Sequence, residues 1–136
     1  MKRRKAREYA LQILFQTDFT GKKFDAEALT DFWSDRKENT DVRKFTEDLV
    51  GGTLDKIEEI DAVIETVAEN WLLKRMAAVD RNILRFAAYE ILYRKEIPAA
   101  VTINEALEIA KKYSSSEAAS FLNGVLDRLA KREGKA

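Results

Sequence analysis

Apolar side chains recur every three or four residues along nearly the whole chain, and Pro98 is the only proline. That spacing lines one face of a 3.6-residue helix, and no segment sustains the period-2 alternation of a strand. The expectation is an all-α fold of about seven helices in one domain covering residues 1–136. The first helix runs from about Arg3 to Asp18, with Ala6, Ala10, Ile13, Leu14 and Thr17 on its core face, and Gly21-Lys22-Lys23 ends it. A short second helix spans about Asp25 to Asp35. After a polar loop over 36–40, Asp41 opens a third that carries Val42, Phe45, Leu49 and Val50. Gly51-Gly52 weakens helix by roughly 1 kcal/mol per glycine, so it marks a kink or a close helix crossing.

A fourth helix carries Ile57, Ile60, Val63, Ile64 and Val67 and ends near Asn70-Trp71. The fifth, about Ala77 to Arg94, has almost no polar face and is expected at the centre. Pro98 forbids its continuation. Two capping boxes open later helices by pairing a hydroxyl with a carboxylate three residues on. One is Thr102 to Glu105; the other ends on Glu117, with Ser114 or Ser116 as the cap. The sixth helix reaches about Tyr113, the seventh spans about Glu117 to Arg132, and the tail 133–136 is expected to be loose.

Composition excludes several function classes. The chain has no histidine and no cysteine, so Ser-His-Asp and Cys-His catalysis and His- or Cys-ligated zinc are ruled out. No glycine-rich phosphate loop follows a strand. Neither an enzyme nor a metal or cofactor site is expected. No apolar run approaches the ~18 residues of a membrane span. The basic start is interrupted by Glu8 and Gln12 rather than followed by an apolar stretch, so no signal peptide is expected and a cytoplasmic location follows by default.

Charge is balanced overall, with 24 cations and 24 anions, but uneven in place. Lys2, Arg3, Arg4, Lys5 and Arg7 crowd the start of the first helix. Cations oppose the partial positive charge of a helix N-terminus. The segment therefore either meets something negative or is a solvated, frayed end. Arg7, Leu11 and Phe15 step by four along one stripe, with Arg4 beside it. Guanidinium groups hold phosphates and a phenyl ring offers a stacking face, the pairing that unpaired RNA requires. Equally, Leu11 and Phe15 are placed to pack a second core surface. Near the chain's end, Lys111, Lys112, Tyr113, a serine turn and Phe121 form a second constellation, and for Phe121 core packing is the commoner fate.

Four motifs together resemble the NusB family of bacterial transcription antitermination factors. They are Ala6-Arg7-Glu8 with the Ala10–Phe15 run; Val79–Arg85 with Tyr89-Glu90; Pro98 followed by Val101–Ala106 and Ala110-Lys111; and Phe121–Asp127. The resemblance covers essentially the whole chain. It implies two packed helical bundles, binding of boxA, a short single-stranded element of ribosomal RNA leaders, and a heterodimer with NusE, the tenth small-subunit ribosomal protein. That complex acts on RNA polymerase with the other Nus factors. Carried over by position, the resemblance assigns Arg3, Arg4 and Arg7 to phosphates and Phe15 to a base. It places Asp80 where an acid is typical, and Tyr113, Ser116, Glu117 and Phe121 at the turn and last helix. The NusE surface falls around residues 61–94. A homodimer of the free protein is also admitted. The competing reading is a helical protein-interaction adaptor whose basic terminus is incidental.

Overall fold

A computed structural model describes residues 2–69 and 72–135. Seven α-helices follow one another: α1 (Lys2–Thr20), α2 (Ala26–Ser34), α3 (Thr40–Asp55), α4 (Ile57–Val67), α5 (Ala78–Tyr93), α6 (Ala99–Tyr113) and α7 (Ser116–Arg132). One 3₁₀ turn, Leu73–Arg75, precedes α5, and there is no strand among the described residues. The expected end of the fourth helix at Asn70-Trp71 lies outside the described residues; helix is regular as far as Val67.

The helices form two packed bundles joined at α5. On one side α1 packs along α3, and Tyr9 of α1 meets Phe32 and Trp33 of α2 edge-to-face at 5.7 and 5.2 Å. On the other, α6 and α7 pack on each other and on α5, with α4 beside them. Residues Asn82 through Ile91 of α5 are all buried. Its lack of a polar face is therefore the mark of the central helix, as expected.

Glycine settles the α3 geometry. The helix runs straight through Gly51-Gly52, so the pair is no helix end. A Cβ at Gly52 would overlap the Tyr89 ring of α5. The expected close crossing is realised at Gly52.

The helix starts differ from expectation in two places. Helix α6 begins at Ala99, directly after Pro98, so Thr102 lies inside it and caps nothing. Its hydroxyl instead donates to Glu90 Oε1 at 2.8 Å, and Glu105 faces α1. A hydroxyl and a carboxylate three residues apart share a helix face whether or not they start the helix, which is why the motif misled. At α7 the cap is Ser115, whose Oγ accepts from the Ala118 amide at 3.0 Å, rather than Ser114 or Ser116. The tail through Lys135 is also tied down. The Lys135 amide donates to Ala130 O at 2.9 Å, and its ammonium donates to the carbonyls of Glu90 and Arg94 at the end of α5.

Candidate functional site

The basic start of α1 is largely neutralised from within. Arg7 is 1% exposed. Its guanidinium donates Nε to Glu90 Oε2 at 2.8 Å and Nη2 to Glu90 Oε1 at 2.7 Å. Two charges out of water require this geometry: a fork on a carboxylate, with the carboxylate's remaining capacity filled by Thr102. Arg7 therefore presents no donor edge to a phosphate, and its expected role as a phosphate contact does not fit where the fold puts it. Arg4 makes the same bidentate pairing with Glu105, at 2.9 and 2.7 Å, but is about one-third exposed. The Arg4 hydrogen bonds hold the Glu105 carboxyl below its ordinary range. Lys5 pairs with Glu38 at 2.6 Å. Arg3 turns the other way, its guanidinium 4.4 Å from the centre of the Phe45 ring. The three arginines thus splay onto three neighbours instead of forming one row.

The stripe through Arg7, Leu11 and Phe15 is likewise divided. Arg7 and Leu11 are buried, whereas Phe15 is 38% exposed. At 100° per residue, Arg7 sits 20° from Leu14 and 80° from Phe15, so it belongs to the core side. Phe15 belongs to the outward strip of Arg4, Glu8 and Gln12. Helical spacing carried that distinction, and the step of four obscured it.

Phe15 and Tyr113 both line a shallow groove of about 300 Å³, together with Glu8, Leu11, Gln12 and Val79. Three helices build it: the middle of α1, the start of α5 and the end of α6. Lys112 bridges two of its walls, pairing with Glu8 at 3.0 Å and lying 5.2 Å from the Tyr113 ring centre. The sequence showed Lys112 only as a helix-ending cation; the Glu8 contact, 104 residues distant, had no local signal. Tyr113 is 47% exposed and Phe121, on the second turn of α7, is 36% exposed, so neither is a core residue. Ser116 and Glu117 are exposed in the first turn of α7. Asp80 lies in the first turn of α5, where a carboxylate suits the helix dipole. It adjoins the groove residue Val79, and its Oδ1 is buried without a hydrogen-bond partner among the described residues.

The chemistry available here is recognition. Flat aromatic faces, an amide at Gln12, an acceptor at Asp80 and peripheral cations can hold a planar, hydrogen-bonding, anionic chain. Among the described residues, no cluster of His, Cys, Asp or Glu could hold a metal ion.

One further group was not singled out in the sequence. Asp18, near the end of α1, accepts from Arg81 at 2.6 Å, Asn82 at 3.0 Å and Arg85 at 3.1 Å. Burial would raise this carboxyl, but the hydrogen bonds from Arg81 and Asn82 and the nearby arginine charges outweigh it and hold it below its ordinary value. An acid in the last turn of a helix opposes the dipole, and that was the available sign that it needed partners.

A family model described as the NusB family matches residues 4–131. The chain is 49% identical over 142 residues to the transcription antitermination protein NusB of Thermodesulfovibrio yellowstonii, covering 98% of this chain and 94% of that protein. Identity to the NusB of Desulfitobacterium hafniense is also 49%, over 136 residues, with 99% and 92% covered. Among solved structures, T. maritima NusB superposes with a TM-score of 0.84 at 37% identity, covering 95% of this chain and 90% of that one. A crystal structure of the antitermination factors NusB and NusE in complex with double-stranded RNA gives a TM-score of 0.87 at 28% identity, with 96% and 97% covered.

Proposed function

The chain belongs to the NusB family of transcription antitermination proteins, and from that premise we propose that it is a non-catalytic adaptor holding boxA-type single-stranded RNA in nascent ribosomal-type transcripts. It does so jointly with NusE and, with the other Nus factors, acts on elongating RNA polymerase in the cytoplasm. The observation that carries this reading is the aromatic groove. Phe15 and Tyr113 line it from two different helices and are exposed to water instead of being withdrawn into the core. Stacking on such faces is open only to unpaired bases. A solved relative held with both NusE and RNA supports the two partners as classes.

In this reading Phe15 and Tyr113 stack bases, with Phe121 beside them on α7. Lys112 and the outer edge of Arg4 meet phosphates, while Arg3, turned onto Phe45, lies off this strip. Arg4 has five N–H donors and Glu105 takes two of them, which leaves a fork edge for a ligand. Asp80 accepts from a base amine, and Ser116 and Glu117 contact the strand at the start of α7. Arg7 is a positioning residue: bound to Glu90, it holds α1 against α5 and so fixes one wall of the groove.

Fluorescence anisotropy with a boxA-like RNA and a scrambled strand tests this. The boxA-like strand binds more tightly, and log affinity falls with log salt by about 0.7 per phosphate met, or about 1.4 for two. The second reading, a protein-only adaptor, draws on the commitment of Arg4 and Arg7 to carboxylates. Absence of RNA binding, with NusE still bound, would establish it instead.

A further inference from the structure

We propose that the RNA track continues one helical turn beyond Phe15 to Phe19, a second stacking face on α1; this rests on the RNA reading above. Phe19 is 84% exposed, the most exposed large apolar side chain among the described residues. Of the other exposed large apolar residues, Phe15, Tyr113 and Phe121 lie at the groove or on the α6–α7 side of it, and Tyr93 and Val101 lie elsewhere. Four residues carry Phe19 about 6 Å along the helix axis from Phe15 and about 40° around it, so the two rings share one strip. Arg4, Glu8 and Gln12 precede them on the same strip.

This end of α1 is held, not frayed. Asp18, the neighbour of Phe19, is fixed by Arg81, Asn82 and Arg85, and Arg85 is itself held by Asp61 at 2.9 Å through both carboxylate oxygens. Gly21, at φ 70°, closes the helix by donating its amide to Thr17 O at 2.8 Å. The backbone that carries the phenyl ring is therefore anchored, while the ring itself stands free in water with its face open to a ligand.

The surroundings fit a base better than an apolar protein surface. Gln16 and Thr20, next to Phe19 along α1, are exposed as well. A protein-interface anchor is ringed by apolar side chains that exclude water. Here, apart from Phe15 one turn back, the exposed residues nearby on α1 are Gln16 and Thr20, whose amide and hydroxyl can hydrogen-bond the edges of a base.

The test compares wild type, Phe15→Ala, Phe19→Ala and Phe19→Trp in the full chain, by anisotropy with a boxA-like RNA and with versions shortened from either end. Phe19→Ala is expected to weaken the long RNA about tenfold, Phe19→Trp to retain it, and one of the shortened RNAs to bind wild type and Phe19→Ala alike. If wild type binds, Phe15→Ala weakens binding and Phe19→Ala does not, the extension is wrong while the groove reading stands. If wild type binds no RNA, both fall. If Phe19→Ala leaves RNA affinity intact and loses NusE, Phe19 is a protein contact and the extension is overturned.

Discussion

The two halves of α1 are inverted with respect to what their residue types suggest. In its first two turns a guanidinium is sealed in the interior, Arg7 at 1% exposure, while in its last turns phenyl rings stand in water, Phe15 at 38% and Phe19 at 84%. The difference lies in what the neighbouring helices offer. Next to Arg7, α5 and α6 present Glu90 and Thr102, which satisfy a charge completely. Next to Phe15, the same two helices present Val79 and Tyr113 across a gap. Polarity does not decide whether a side chain goes inside; the partner waiting there does.

The largest expected effect tests the buried half. Arg7→Ala strands the Glu90 carboxylate without water or a counterion, so urea denaturation should show a loss of about 3–5 kcal/mol. Arg7→Met combined with Glu90→Leu should recover most of it, because a well-packed apolar pair removes the unpaired charge. Arg4→Ala should cost far less than Arg7→Ala, since that pair is partly solvated and screened. Equal losses from Arg4→Ala and Arg7→Ala would erase the distinction between the pairs.

Next in size is the helix crossing. Gly52→Ala drives a methyl group into the Tyr89 ring. It should destabilise by about 1–3 kcal/mol in the same denaturation series. The exposed half gives a complementary pattern. Phe15→Ala should cost no more than about 1–2 kcal/mol of stability, because over a third of its surface is already in water, yet lose about 1–3 kcal/mol of RNA affinity. Arg7 variants that remain folded should lose more stability than Phe15→Ala and less RNA affinity, because Arg7 acts on the groove only through the position of α1.

The smallest effect is in pH. The Asp18 and Glu105 carboxyls both sit below their ordinary values in the fold. The folded state therefore gains from their ionisation above about pH 4, and the gain is lost as pH falls through the folded-state values. The urea midpoint should drop on acidification below about pH 5, and Asp18→Asn should flatten that dependence.

Much of the fold was legible because one signal, helical periodicity, acts locally and repeats. Pro98, the apolar run of α5 and the turn residues at 21–25 and 36–40 each confined a boundary to a few positions. The site was legible only in part. Phe15 and Tyr113 could be named as aromatic candidates, but their sharing one groove depends on three helices meeting. The Arg7–Glu90 pair spans 83 residues, beyond any periodic pattern. A clue existed nonetheless: Glu90 sits in the middle of the buried run of α5, where an acid needs a cation. The same logic applied to Thr102 and Glu105, both on the inner face of α6, would have withdrawn the capping-box assignment.

The central claim is that RNA lies along the aromatic side of α1 and not across its buried arginine. Photo-crosslinking of a boxA-like RNA carrying 5-iodouridine, with adducts located by mass spectrometry, tests it most directly. The account predicts adducts on Phe15 and Tyr113. Adducts confined to the α2–α3 surface, with none along this strip, would contradict it.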